Sequence, residues 1–321
     1  MTSSLPPQLS KVFSVSVVVA CHNAEATVEQ TVDSILSNAR PGIRLQVIVV
    51  DDYSTDRSRD CLERFGDRIH LIGLAENVGV SQARNIGIAA ATGDFIAFCD
   101  ADDLWEPDKL NWQLPLFQDP EVGLVCSDFL WFDGLTGLPV KARADRRCFK
   151  RGWAFRDLLF KNFVGTSTTI LRRQVTEDFR FDPDIGYSED FDLWLRISRR
   201  WKIDYVDREL VRYRLSSTQL SHNWVAMQES RMRIISEHLQ NEPNGWFRKR
   251  IRARALFNYA MEHWDSRDFP AARKLFLAAT MEYPFCRKYW LRLILTTMPI
   301  PLLVGLLKVK NKKQNASGVG F

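Results

Sequence analysis

The chain has 321 residues, 45% hydrophobic and 26% charged, the proportions of an ordinary globular protein and not of a disordered or fibrous one. The formal net charge of +5 hides a split: residues 226–321 carry 17 Lys and Arg against 7 Asp and Glu, so the acidic side chains concentrate before them. A basic C-terminal piece suits an anionic surface such as phospholipid, and no nucleic-acid motif accompanies the charge, so nucleic acid is not expected as a partner.

In chain order, Val15–Ala20 is a β-branched run that predicts a buried strand. Ala24–Asn38 then places Val28, Thr31, Val32, Ile35 and Leu36 on one helical face, with Asn23 as N-cap. Strand and helix signals repeat over Leu45–Val50, Ser54–Phe65, Ile69–Gly73, the small-residue helix Gly79–Ala91 and the strand Phe95–Cys99. Alternation of this kind predicts a mostly parallel sheet flanked by helices, with ligands at the strand tips. Further on, Val122–Phe132 and Phe163–Leu171 read as strands, Asp133–Gly137 as a turn and Arg143–Gly152 as a basic loop. Asp190–Arg200 regains helical spacing, and Ile203–Val206 and Leu210–Leu215 read as late strands.

The main domain is expected over 12–222, and a helical, basic extension over 223–321. Within the extension Ala260, Ala272, Phe276, Ala279 and Pro284 fall as in one tetratricopeptide-type hairpin. Residues 289–313 join an apolar stretch, interrupted by Arg292, Pro299 and Pro301, to a lysine cluster, and mark either a peripheral membrane contact or a helix packed on the main domain. Six scattered cysteines without a CxxC pair, and an N-terminus without the charge and apolar core of a signal peptide, point to a cytoplasmic location, extended to the cytoplasmic face of the membrane if 289–313 docks there.

Chemistry concentrates at the predicted strand tips: Ala20-Cys21-His22-Asn23, Asp51-Asp52 with Asp56, and Asp100-Ala101-Asp102-Asp103. Aspartates form strands poorly and are costly when buried unpaired, so two acidic clusters at neighbouring tips call for a cation or for hydrogen-bond donors. Asp-x-Asp suits a hard divalent ion, Mg²⁺ or Mn²⁺, that bridges carboxylate and phosphate oxygens. A dehydrogenase site would need a glycine-rich turn after the first strand, and 20–27 contains no glycine.

These segments, together with Ala83-Arg84-Asn85, Gly93-Asp94 and Glu189-Asp190 followed by Leu193-Trp194, resemble the family 2 inverting glycosyltransferases over roughly residues 12–222. The resemblance implies the A-type glycosyltransferase fold and transfer of a sugar from a nucleotide-diphosphate donor to a saccharide or lipid-linked acceptor in polysaccharide or glycan biosynthesis. By position in the motifs, Ala20 and His22 would line the nucleoside pocket, Asp52 would read base or ribose, and Arg84 and Asp100 would lie near the diphosphate. Asp102 would hold the metal and Asp190 would be the catalytic base, with Glu189 and Trp194 as candidate acceptor contacts. Many members have proline and tyrosine where this chain has Ala20 and His22. Some carry a metal-assisting histidine where this chain has Ser216, for which His222 is a candidate substitute.

Each residue also has a plainer reading. Asp51, Asp52 and Asp56 could cap the next helix, Asp102 and Asp103 before Trp105 and Pro107 could be a helix-start turn, and Arg84 could be a solvated helix charge. Trp194, Tyr187 and the aromatics of 129–132 could be core or could stack on an acceptor sugar. The competing function is a non-catalytic sugar-nucleotide or glycan binding module that supports a partner enzyme.

Overall fold

The computed structural model describes residues 5–9, 11–140, 149–215 and 223–297. The chain divides into two compact units, Met1–Gln219 and Leu220–Phe321. The first holds β1 (Phe13–Cys21), α1 (Val28–Leu36), β2 (Ile43–Asp51), α2 (Ser58–Glu63), β3 (His70–Gly73), α3 (Val80–Ala90) and β4 (Phe95–Asp100). There follow β5 (Leu104–Trp105), α4 (Lys109–Gln113), β6 (Val122–Asp133), α5 (Phe155–Phe160), β7 (Ile170–Arg172), α6 (Val175–Asp178), α7 (Glu189–Ser198) and β8 (Lys202–Leu215).

These strands form one mixed sheet in the order β3-β2-β1-β4-β7-β6-β8-β5. The β3-β2-β1-β4 half is wholly parallel, with Cys21 opposite Asp51 and Ala20 opposite Asp100, so the three acid- or histidine-bearing tips share one edge. β1 is buried along nearly its whole length, as a central parallel strand covered on both faces must be. α1 buries Val28, Thr31, Val32 and Ile35, the face that its spacing predicts. Gly87 lets α3 approach β1: a Cβ there would run into Val18.

Four local expectations change. Asn23 caps no part of α1, which starts at Val28; it adopts φ 50° and its Oδ1 accepts the Thr55 N–H at 2.8 Å. Residues 163–169 are not strand: Thr166–Thr168 is a 3-10 turn, because the hydroxyls of Thr168 and Thr169 donate back to Gly165 O and close the chain locally. The two late strands are one continuous β8, paired with β6 through bulges. Asp103 starts no helix and is buried, as described below.

Lys109 is fully buried with its Nζ 4.0 Å from the Trp105 ring centroid and no hydrogen-bond partner among the described residues. Burial pushes its pKa down to about 7, against a smaller opposite effect of the Cys99 and Cys126 thiols. Between pH 7 and the unfolded-state value near 10.4 the unfolded chain binds the extra proton, so wild-type stability rises across that window and the cost of burial is fully felt below it. Lys109→Met is therefore expected to stabilise the protein more at pH 6 than at pH 9, with roughly 3 kcal/mol, the two pH units of that window at about 1.36 kcal/mol each, as the upper bound on the difference. Urea unfolding at the two pH values reads this; a gain independent of pH would contradict it.

The second unit is helical throughout: α8 (Trp224–Leu239), α9 (Gly245–Asp265), α10 (Phe269–Glu282) and α11 (Arg287–Leu295). α9 and α10 form the expected hairpin, with Ala260, Ala272, Phe276 and Ala279 in its core. No helix among the described residues is long and apolar enough to cross a membrane. Of the 289–313 segment, α11 ends at Leu295 and residues from 298 on lie outside the described residues.

Candidate functional site

The acidic loop 100–103 is clamped from three sides. Thr27 and Thr31, at the start of α1, both donate their hydroxyls to Ala101 O at 2.9 Å. Ser167 accepts the Asp100 N–H at 3.0 Å and donates to Asp103 Oδ2 at 2.6 Å. From β8, the Arg214 N–H donates to Asp103 Oδ1 at 3.0 Å, while its guanidinium reaches Asp102 O at 2.7 Å and Gln30 Oε1 at 3.0 Å. Asp103 is thus a buried fastener of the loop, and burial, with the carboxylates of Asp102 and Asp100 adding to it, holds its pKa well above the usual range. Asp102 is left partly exposed at the turn of the loop.

Asp190 is the second residue of α7, which starts directly after Ser188, whose φ of 59° turns the chain into the helix. Its Oδ1 accepts the Phe191 N–H at 2.6 Å and its Oδ2 the Thr166 hydroxyl at 3.3 Å. Thr166 and Ser167 are consecutive, so one short turn touches both Asp190 and the acidic loop. Arg84 makes a second link: Nη2 meets Asp100 Oδ1 and Nη1 meets Glu189 Oε1, each at 2.6 Å. Its side chain is 6% exposed, and its guanidinium lies 5.1 Å from the centroid of the Phe181 ring. Burial alone would lower the guanidinium pKa, but the Asp100 and Glu189 carboxylates reverse this and hold it above its ordinary value.

Tyr213 of β8 lies beside the loop, next to the Arg214 N–H that Asp103 accepts. Its phenol is pushed well up, first by burial and then by the carboxylates of Asp103, Asp100, Asp102 and Asp190. The ring packs on Phe129 (5.9 Å between centroids), itself edge-on to Trp131 (5.4 Å).

On the other side of the strand edge, His22 is exposed after β1. Its Nδ1 lies 2.8 Å from Asp52 O and its Nε2 3.1 Å from Asn23 Nδ2. A proton on Nδ1 satisfies these two contacts, since Nε2 then accepts from the amide, while Asn77 Nδ2, 3.2 Å from the same Nδ1, has Asp52 O at 3.3 Å as its acceptor. Asp52 itself is buried, and its two carboxylate oxygens accept the N–H groups of Val78 (2.7 Å) and Gly79 (2.9 Å) just before α3. Asp52 is a cap, but of the 78–79 turn and not of the helix that follows β2; Asp56 does cap that helix, through the Ser58 N–H at 2.9 Å. Ala20 is half-buried at the same edge.

The structure thus brings Ala20, His22, Asp52, Arg84, Asp100, Asp102, Glu189 and Asp190 to one edge of the sheet, but it alters three roles. Arg84 is a buried strut and not a solvated charge. Glu189 is spent on Arg84, with no more than a small exposed fraction left for an acceptor. Trp194 is 0% exposed, packed against Phe98 and Phe181, and so is a core residue and not an acceptor contact. Ser216 and His222 lie outside the described residues. Ser167, Tyr213 and Arg214 are not among the expected site residues, although Tyr213 and Arg214 lie just before Ser216, the position of the family histidine.

Among the described residues no three His, Cys, Asp or Glu side chains form a ready cage for a metal ion. With Asp100 turned to Arg84 and Asp103 to Ser167 and Arg214, the donor set fits a divalent cation that brings most of its oxygen ligands with it, in the way Mg²⁺ is bound by one or two carboxylates plus substrate phosphates.

Comparison with known proteins agrees with this geometry. The putative teichuronic acid biosynthesis glycosyltransferase TuaG of Bacillus subtilis is 31% identical over 226 residues, covering 67% of this chain and 85% of TuaG. Escherichia coli WfgD, a UDP-Glc:alpha-D-GlcNAc-diphosphoundecaprenol beta-1,3-glucosyltransferase, is 27% identical over 232 residues, covering 71% and 88%. The solved mannosyltransferase PcManGT of Pyrobaculum calidifontis, in complex with GDP-Man and Mn²⁺, superposes with a TM-score of 0.60 at 18% identity, covering 90% of this chain and 85% of that one, and so shares the A-type glycosyltransferase fold. The family model for glycosyl transferase family 2 matches residues 16–179. That match takes in both aspartate-bearing strand tips and the TuaG similarity covers two thirds of the chain, so the protein belongs to glycosyl transferase family 2 and is a glycosyltransferase.

Proposed function

We propose that the chain is an inverting, cation-assisted transferase that moves a sugar from a nucleoside-diphosphate donor to a saccharide or lipid-linked acceptor in polysaccharide biosynthesis. The observation that carries this reading is that the 100–103 loop and the start of α7 are tied together, by Arg84 between Asp100 and Glu189 and by the consecutive Thr166 and Ser167 on Asp190 and Asp103. In a single displacement the acceptor oxygen attacks the anomeric carbon, its proton passes to Asp190, and the bond to the nucleoside diphosphate breaks on the opposite face. A divalent cation, held by Asp102 with Asp100 beside it, would supply charge compensation to the leaving diphosphate. Ala20 and His22 border the nucleoside, and Asp52 shapes that pocket by fixing the 78–79 turn. Asp190 keeps one oxygen on its own helix through Phe191, which leaves the other against the Thr166 hydroxyl.

The acceptor assignment draws on WfgD, whose acceptor is diphosphoundecaprenol-linked, and the cation on PcManGT with its Mn²⁺. We also place the enzyme at the cytoplasmic face of the membrane, with a peripheral contact through the C-terminal segment. α11 supports this: Trp290, Leu291 and Ile294 are exposed beside Arg287, Lys288 and Arg292. Binding of the full chain to anionic vesicles is the corresponding measurement. Nothing in the structure favours the non-catalytic module.

The donor site is tested by thermal unfolding with UDP, GDP, dTDP and CDP, each with Mg²⁺, Mn²⁺ or neither. One nucleotide at 100 times its dissociation constant is expected to stabilise the protein by about 2.7 kcal/mol. The gain should need the cation and be lost in Asp102→Asn. No shift with any nucleotide, or a full shift in Asp102→Asn, would overturn the assignment.

A further inference from the structure

Just past Trp131 the chain turns back in a tight hairpin, 133–140. Asp133 Oδ1 accepts the N–H groups of Leu135 (3.0 Å) and Thr136 (2.7 Å) and the Thr136 hydroxyl (3.0 Å). These bonds, that of the Thr136 N–H foremost, hold its carboxyl below the ordinary aspartate range. Backbone bonds from Asp133 to Leu138 O, Gly137 to Asp133 O and Val140 to Trp131 O close the loop, with Gly137 at φ +69°. Arg212 steadies it by donating to Gly137 O at 3.2 Å, and the Gly134 N–H donates to Leu215 O at 3.0 Å.

What this rigid turn presents is apolar. Leu135 is 99% exposed and Leu138 65%, with Val140 and Leu215 exposed beside them. No charged residue stands between Asp133 and Lys141. A single exposed leucine needs no explanation, but a pinned, uncharged tip that holds two of them outward is the form of an interaction site.

We propose that this tip is a foot by which the catalytic unit inserts into an anionic lipid bilayer, an inference that rests on the reading of a lipid-linked acceptor. Its place in the fold carries the argument. Trp131 is the register partner of Tyr213, the residue before the Arg214 that holds Asp103 and Asp102 O, and the tip starts two residues further along β6, about 7 Å at the rise of a strand. Apolar side chains of an interfacial element reach about 5–10 Å into the boundary between headgroups and acyl chains. With the leucines at that depth the acids lie at headgroup level, where a sugar on a lipid phosphate is presented. The sign of the charge agrees: Arg212 braces the tip, and the sequence after it, 141–151, holds six Lys and Arg against Asp145 alone.

The test is an environment-sensitive NBD label at Leu135→Cys, in a chain carrying Cys148→Ser and Cys286→Ser, the other cysteines being buried. Vesicles of 3:1 phosphatidylcholine to phosphatidylglycerol should raise its emission severalfold and shift it to the blue, with no response from a control label at Glu63→Cys on α2. Leu135→Ser with Leu138→Ser should weaken vesicle binding by about tenfold or more per leucine, the lower end of what a buried leucine contributes. The inference is overturned if the full chain stays off the vesicles. It is equally overturned if the chain binds while the label at 135 stays silent, or if the blue shift follows protein concentration without vesicles, which marks a second copy as the occupant. Because the nucleotide-dependent thermal shift is measured without lipid, its survival in any of these cases leaves the transferase reading standing.

Discussion

Asp190→Asn is expected to lower the rate of sugar transfer by about 10²–10⁴-fold, the range that a positioned general base contributes. The substitution is close to isosteric, and the amide can keep both contacts, its oxygen accepting the Phe191 N–H and its NH2 donating to the Thr166 hydroxyl, which turns from donor to acceptor. The start of α7 should therefore keep its geometry, and only the capacity to take up a proton is lost. Nucleotide binding does not involve that proton, so the thermal shift produced by the preferred nucleotide with its cation should match that of wild type. A variant that transfers at near-normal rate would remove Asp190 from the role of base. One that loses nucleotide binding together with activity would move it to the donor site instead.

How far such a residue can be found from sequence depends on whether its partners are local. The acids at the ends of β2 and β4 are legible because an apolar run that stops at aspartates marks a strand tip, and the alternation of strands and helices makes the tips share an edge. Trp194 was also legible, as core: with Phe191 and Leu195 it completes the i, i+3, i+4 stripe of a helix packed on a sheet, and weighing it as a sugar platform set chemistry above periodicity. The fasteners were not legible. Ser167 lies 64 residues from Asp103 and the Arg214 N–H lies 111 residues from it, and no local period carries pairings of that range. Asp103 in turn looks like any turn aspartate when only its neighbours are read. The threonines and serine of 166–169 have strand propensity, yet their hydroxyls bond backward and across, which only the folded sheet reveals.

Arg84→Gln is expected to destabilise the protein by about 3 kcal/mol, the lower end of the cost of removing one partner from a buried ion pair. The guanidinium binds Asp100 at the tip of β4 and Glu189 at the start of α7, and Gln has neither the charge nor the reach to satisfy both. Asp100 retains some access to water, which is why the lower end applies, whereas Glu189 is mostly enclosed. Arg84→Lys keeps the charge but replaces a planar fork with a single point donor, so it should recover part of the stability and bridge one carboxylate at a time. Activity should fall further than stability alone explains, because the same side chain ties the loop that carries Asp102 to the helix that carries Asp190. Misplacement of reacting groups by about 1 Å can cost about 10²-fold in rate. Urea unfolding gives the first quantity and initial rates at saturating donor give the second, at a temperature where both variants are folded. A loss below about 0.5 kcal/mol, the range of ordinary surface substitutions, would show that the strut bears no weight. Reduced stability with undiminished turnover would show that the loop and α7 are held in register without it, through Thr166 and Ser167 alone.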